Sequence, residues 1–321
     1  MEARKNPKPV SITEVSAKFG TNEQCFAYVE QMRWPDGIVR CPTCGDNKVS
    51  KVVRKADSKN RRLWFYTCLN RDCLQQFSPT SGTLFADTHL PLIVWFHAIA
   101  LMLNAKKGIS AKQLQRDLGI GGYKTAWYLN HRIREAMREN DGNLLGGTVE
   151  IDETYVGGKQ KGKGVYYGKK QKQTVMGAVE RGGNLRLRHV PDAKAKTVRG
   201  FISENVSPDA ENVYTDQGTV YPYALAPEFT DRHQTVNHII GEYARGDVFT
   251  NSIESAFSLL KRGIVGQFHK LSGKHLHRYC SEFEYRFSRR QSPDPFIDTV
   301  RRLCVTKPLR FADLTADAEP F

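Results

Sequence analysis

Apolar positions along the chain change their spacing several times. Residues 1–22 form a polar, lysine-bearing lead-in. Over 23–31 and just beyond, Phe26, Val29 and Met32 recur every three residues and predict a short amphipathic helix. Helical spacing is then lost between 35 and 80. Pro35-Asp36-Gly37, Cys44-Gly45-Asp46 and Asn70-Arg71-Asp72 mark turns there, and 51–54 and 63–67 read as short strands. It returns over 91–140, with Gly121-Gly122 as the one clear break. From 147 to 217 the pattern becomes strand-like at Thr148–Val156, Gln173–Glu180 and Leu185–Val190, followed by a helix over 196–204 and a strand over 212–215. Helices are expected over 250–264 and 273–290, and the tail after 310 turns acidic and should fray. Three strands, a helix, a strand and further helices read as α/β.

The 321 residues, 40% of them hydrophobic, can bury one large core or two to three modest ones. The changes of pattern divide the chain into a lead-in over 1–34, a turn-rich segment over 35–82, a helical region over 83–142, an α/β domain over 143–295 and a C-terminal tail over 296–321. With 48 Lys and Arg against 34 Asp and Glu, the formal net charge is +14, which favours a polyanion, nucleic acid first among them. The longest apolar run, 90–103, is interrupted by His97 and falls short of the roughly 20 residues a bilayer span needs. The first residues carry no apolar core of a secretory signal. A cytoplasmic protein is expected, nucleoid-associated if bacterial.

Four of the seven cysteines form two close pairs. Cys41-Pro42-Thr43-Cys44-Gly45 is a metal knuckle, and Cys68 and Cys73 supply a second pair after 23 intervening residues. Four thiolates suit tetrahedral Zn²⁺ and leave no open position, so the metal's role is structural. A segment this short and polar would draw its folding energy from the metal. It would then present Arg54, Lys55, Lys59, Arg61 and Arg62 to phosphate.

Residues 109–120, Gly121-Gly122 and 123–134 have the layout of a helix-turn-helix, held together by Leu114, Leu118 and Ile120. Lys124, Thr125, Tyr128, Arg132 and Arg134 on the second helix suit a DNA groove and its phosphates. An ordinary helical hairpin with solvated basic residues is the alternative.

Alternation along 148–156 puts Val149 and Ile151 on one face of a strand and Glu150 and Asp152 on the other. Asp216 ends a second strand. On the helix over 250–264, Ile253, Phe257 and Leu260 form the apolar stripe, and Asn251, Glu254, Ser258 and Lys261 the opposite one. Three separated acids of this kind can hold two Mg²⁺ ions about 4 Å apart. Lys261, seven residues after Glu254, stands on the same side to anchor a phosphate. Asn251 follows Thr250 near the helix start and is expected to cap it or to contact DNA.

These residues together resemble bacterial insertion-sequence transposases of the DDE class, in the ISXO-type group with an N-terminal zinc ribbon. The resemblance is carried by the Cys41–Cys44 knuckle, Thr125-Ala126-Trp127 with His131-Arg132-Ile133-Arg134, Glu150-Ile151-Asp152-Glu153-Thr154-Tyr155-Val156-Gly157-Gly158, Thr215-Asp216, Val236-Asn237-His238, and Thr250 to Glu254 with Leu259 to Gly263. It covers about residues 20–290. It implies a ribonuclease-H-like mixed-sheet catalytic domain over 143–295, preceded by a zinc ribbon and a helix-turn-helix-like region. It further implies Asp152, Asp216 and Glu254 as the catalytic triad and Mg²⁺ ligands, with Mn²⁺ as substitute. Double-stranded DNA would be bound at transposon ends and target by Lys124, Arg132, Arg134, His238, Asn251, Lys261 and Arg262. A homo-oligomer would synapse two ends. The reaction would be cleavage at the element's end, then attack of the 3′-hydroxyl on target DNA.

Residues 157–173 carry six lysines and no acid, as a basic hairpin tip or a solvated loop would. His238, with Glu242, is a DNA contact or a structural histidine. His269, His275 and His277 lie near Arg278, Arg286, Arg289 and Arg290 on a helix with one core face and one phosphate-binding face. Two rival functions fit less of the chain: a non-catalytic zinc-ribbon regulator and a ribonuclease-H-like nuclease for RNA–DNA hybrids.

Overall fold

The structure, a computed structural model, describes residues 10–54, 63–138, 142–157, 172–225, 227–236, 244–269 and 271–316. The chain divides into two compact units, residues 1–137 with 291–317 and residues 138–290 with 318–321.

The first unit opens with α1 (Ile12–Lys18) and α2 (Asn22–Arg33). Ser11 caps α1 by accepting the Glu14 amide, and Thr21 with Gln24 forms a reciprocal capping box on α2. The lead-in is therefore helical from Ile12, a helix too short to show periodicity because it buries only Val15. A three-stranded antiparallel sheet follows, β1 (Val49–Val53), β2 (Trp64–Cys68) and β3 (Gln76–Phe77), in the order β1-β2-β3. Its core is Trp34, Tyr66 and Phe77 packed about Cys41 and Cys68.

The helical stretch over 91–140 is broken twice rather than once, into α3 (Leu92–Asn104), α4 (Ala111–Asp117) and α5 (Tyr123–Ala136). The additional break comes at Gly108, whose φ of 83° suits glycine, and at Ser110, which caps α4 through the Gln113 amide. The C-terminal residues also depart from the expected tail. Helices α10 (Pro295–Val305) and α11 (Phe311–Thr315) belong to this first unit. Asp294 caps α10, and its apolar stripe of Phe296, Val300 and Leu303 is buried. The Phe296 ring lies 5.5 Å from that of Phe96 and 5.8 Å from that of Phe19. Four-residue apolar spacing made this a helix despite the acidic residues that follow it.

The second unit is a five-stranded mixed sheet in the order β6-β5-β4-β7-β8. Strands β4 (Thr148–Val156), β5 (Gln173–Glu180) and β6 (Leu185–Val190) run antiparallel in succession. Strands β7 (Asn212–Asp216) and β8 (His233–Val236) lie parallel to β4 on its other side. On one face, Val149, Ile151, Met176 and Ala178 pack with α6 (Ala195–Asn205) and α7 (Tyr221–Ala224). On the other, Val175, Val179 and Leu187 pack with Ile253, Phe257 and Leu260 of α8 (Asn251–Gly263) and with Leu276, Cys280 and Phe283 of α9 (Gly273–Ser288). The strand alternation thus turns Glu150 and Asp152 toward the α8 layer.

Gly177, paired in register with Asp152, lets α8 approach. A Cβ there would stand 2.7 Å from both the Ile253 and the Phe257 side chains. Among the described residues, no helix is long and apolar enough to cross a membrane.

Candidate functional site

The sulfurs of Cys41, Cys44, Cys68 and Cys73 all lie within 4.8 Å of one another. Cys41 and Cys73 are separated by 3.7 Å, Cys44 and Cys68 by 3.6 Å. Four sulfurs at about 2.3 Å from one tetrahedral Zn²⁺ would stand about 3.8 Å apart, so the cluster fits zinc. The first pair sits on a tight turn in which Gly45, at φ 79°, donates its amide to the Cys41 carbonyl at 2.9 Å. The longer second loop is folded back by Asn70, whose backbone carbonyl accepts the Cys73 amide at 3.0 Å and whose side chain accepts the Asp72 amide at 3.0 Å. Burial raises the Cys41 thiol, but hydrogen bonds from the Cys44 and Thr43 amides and from the neighbouring thiols bring it down to about 7, whereas burial raises Cys68 to about 12. Of the basic residues assigned to this ribbon, Lys55, Lys59, Arg61 and Arg62 lie outside the described residues.

Helices α4 and α5 form the expected hairpin, with Leu114, Leu129 and Ile133 buried. Two of the residues assigned to DNA, Arg132 and Arg134, are corrected. Arg132 is 3% exposed and Arg134 only 1%, so neither presents its charge to a groove. The Arg132 guanidinium stacks 4.8 Å from the Trp95 ring and donates to the Ala86 carbonyl. Burial holds its pKa below the usual arginine range. Beyond its first turn α5 is a core helix, which a count of its basic residues could not reveal. Its exposed end carries Tyr123, Lys124 and Thr125, and Lys112 and Arg116 of α4 are exposed as well. Lys124 Nζ lies 4.2 Å from the Phe311 ring centroid.

The second unit gathers the three proposed acids. Strands β4 and β7 pair as far as Ile151 opposite Thr215, so one further step sets Asp152 level with Asp216. Strand β7 ends there while β4 runs on to Val156, leaving a notch. A cavity of about 550 Å³ is lined by Asp152, Glu153, Thr154, Glu254, Phe257, Ser258, Lys261, Arg262 and Val265. Lys261 does share the pocket with Glu254, as their spacing implied. Burial, reinforced by the charges of Glu153, Asp216 and Glu254, pushes Asp152 up to about 8 even though its carboxylate accepts the Glu153 amide. Asp216 Oδ1 accepts the Gly218 amide at 3.0 Å.

Three site residues need further comment. Glu153 lines the pocket with its Oε2 accepting the Tyr221 hydroxyl at 2.8 Å, and burial raises its pKa. Strand alternation puts it on the face of Val149 and Ile151, yet it lines the cavity where β4 runs on past the end of β7. Asn251 is not the cap of α8: Thr250 occupies that position, and Asn251 is the first helical residue and is exposed. His238 and Glu242 lie outside the described residues, as does nearly all of the lysine-rich segment after Gly157.

A ribbon with four clustered cysteines, a helical hairpin and a carboxylate pocket on a mixed sheet are the parts expected of a zinc-ribbon DNA-processing protein. Comparison with known families agrees. Residues 144–288 match the ISXO2-like transposase domain, and residues 20–68 match the transposase zinc-ribbon domain. The second match ends at Cys68, and the fold adds Cys73 to the cluster. Over 266 residues the chain is 30% identical to an uncharacterized protein in transposable element ISH50 of Halobacterium salinarum, covering 76% of this chain and 83% of that one. The chain belongs to the ISXO2-like, or IS1595, transposase family.

Proposed function

We propose that this chain is the transposase of an insertion sequence, cutting DNA at the element's ends and joining the freed 3′-hydroxyl to target DNA. The observation that carries the reading is a pocket shared by Asp152 of β4 with Glu254, Lys261 and Arg262 of α8, with Asp216 of β7 level with Asp152 and close enough to raise it electrostatically. The strand order, three antiparallel strands continued by two parallel ones, supports a ribonuclease-H-like domain.

The three carboxylates present hard oxygen donors suited to Mg²⁺, or to Mn²⁺ in its place. When bound, the ions supply activation of the attacking oxygen and neutralise charge on phosphorus. The chain's own residues do the rest. Asp152 must give up the proton that burial favours. Glu153 is held by Tyr221. Lys261 and Arg262 take the scissile-strand phosphate at the rim, with Arg262 steadied by the Ser258 hydroxyl at 2.9 Å. The exposed first turn of α5, with Lys124, is the part of the hairpin that contacts element ends. Subunits pair to hold two ends together.

The test is cleavage of DNA carrying the gene's flanking sequence. Asp152→Asn, Asp216→Asn and Glu254→Gln should bind ends normally and lose about 10²–10³-fold in rate, the scale of removing one catalytic electrostatic group. Asn251→Ala should stay within a few-fold of the unmutated chain. If Glu254→Gln cleaves normally while folded Asn251→Ala is inactive, the third ligand is Asn251. End binding without cleavage by the unmutated chain would favour a regulator. Preference for an RNA–DNA hybrid over duplex would favour a nuclease.

A further inference from the structure

Two buried carboxylates outside the triad fasten helices to the sheet at different places. Glu284 on α9 holds the edge strand, its Oε2 accepting the Leu187 amide and Nη1 of Arg188, each at 2.8 Å. Glu150 has no exposed surface and lies on β4 two residues before Asp152, on the same face. Its Oε1 accepts Nε of Arg181 at 2.8 Å. Its Oε2 accepts the Ser252 amide at 2.8 Å and the Ile253 amide at 3.1 Å. These are first-turn amides of α8, which have no acceptor within the helix itself. Thr250, at the N-cap, makes no side-chain cap hydrogen bond, so α8 is capped from a separate strand.

Arg181 extends the clamp. It donates from Nη1 to the Asp247 carbonyl at 2.7 Å and from Nη2 to the Phe249 carbonyl at 2.9 Å. Its guanidinium lies 3.6 Å from the Phe249 ring centroid and 4.8 Å from that of Tyr214. The backbone entering α8 is thereby tied to the same strand that carries Asp152.

We propose that Glu150, with Arg181, is the positioning residue that sets where Glu254 stands relative to Asp152 and Asp216. The inference rests on those three acids binding divalent metal. Glu254 follows the clamped Ile253 amide directly, so a slip of the helix start moves it. Glutamine at 150 would keep the volume but not the chemistry. One end of its amide is a donor, and it would face either the guanidinium or the helix amides, donor against donor. A mutation that shifts a reacting group by about 1 Å can cost about 100-fold in rate.

The experiment measures Mn²⁺ binding to the full-length protein by electron paramagnetic resonance, alongside Mn²⁺-dependent nicking of supercoiled plasmid DNA. Glu150→Gln should bind Mn²⁺ at least tenfold more weakly at the Glu254-dependent sites and nick about 100-fold more slowly, while melting cooperatively. Glu284→Gln should melt at lower temperature yet keep its Mn²⁺ affinity within twofold, because its bonds go to Leu187 and Arg188 of the edge strand, two strands across the sheet from Asp152, rather than to β4 or α8. Arg181→Lys, which can pair with Glu150 but cannot also reach both carbonyls, should show an intermediate loss and decides the matter if Glu150→Gln does not fold. Mn²⁺ affinity within twofold of normal in folded Glu150→Gln, or in Arg181→Lys, would overturn the proposal. Absence of any Glu254-dependent Mn²⁺ binding in the unmutated protein would instead overturn the metal assignment, and this inference with it.

Discussion

The cysteine cluster and the carboxylate pocket differ in what holds them in shape. Among the described residues, only the cysteines bring three or more metal-ligand atoms within 4.8 Å of one another. They come from two tight turns in a small sheet with a core of a few aromatic rings. Such a site fits an ion that fixes the local fold, and four sulfurs leave it no place for substrate. The acids come from β4, β7 and α8; Asp152 and Glu254 line an open cavity, and burial, reinforced by the neighbouring carboxylates, raises Asp152. Their placement is set by the sheet, by the close approach at Gly177 and by the Glu150 clamp. At the ribbon the metal would organise the chain, and at the pocket the chain organises the place for a metal.

Removing the ribbon's metal should have the largest effect, because structural zinc contributes on the order of 10 kcal/mol to the folding of such a segment. The purified protein is expected to hold one Zn²⁺ per chain by metal analysis. Cys41→Ser or Cys73→Ser should release it and weaken binding to element ends, with the α/β unit still folded by circular dichroism. A zinc-free unmutated protein with an intact ribbon would break the comparison on this side.

A smaller effect separates the pocket. Asp152 titrates near 8 in the folded chain, against about 3.9 when unfolded. A carboxyl raised on folding favours the folded state fully below its unfolded value and loses that contribution as pH rises through its folded value. The metal-free protein should therefore lose stability between about pH 4 and pH 8. Asp152→Asn, uncharged throughout, should lack that part of the decline and melt several degrees higher than the unmutated chain at pH 8. Mg²⁺ should stabilise the unmutated chain and not the variant. Parallel melting curves for the two proteins across this range would show that Asp152 is not under electrostatic stress.

The two sites were also legible to different degrees. Local spacing exposed the four cysteines, because their ligands lie within two short loops. It also brought out Asp152 and the Glu254–Lys261 pair, which line one cavity, because strand alternation and helical turns fix directions over a few residues. It could not expose the clamp, since Glu150 meets Arg181 across a sheet and meets Ser252 and Ile253 across about a hundred residues of chain. It also misassigned Arg132 and Arg134, where positive charge on a helix suggested a solvent face and aromatic neighbours supplied a buried one. Helix α10 was hidden by its position before an acidic end, although Phe296, Val300 and Leu303 carry the spacing of a core helix.

The most direct test of the contrast between the two sites is anomalous diffraction from crystals of the zinc-loaded protein soaked in Mn²⁺, with data taken at both metal edges. The expected result is zinc alone among Cys41, Cys44, Cys68 and Cys73, and manganese between Asp152, Asp216 and Glu254, lost from that pocket in Glu254→Gln. Manganese absent from the pocket, or held there unchanged without Glu254, would contradict it.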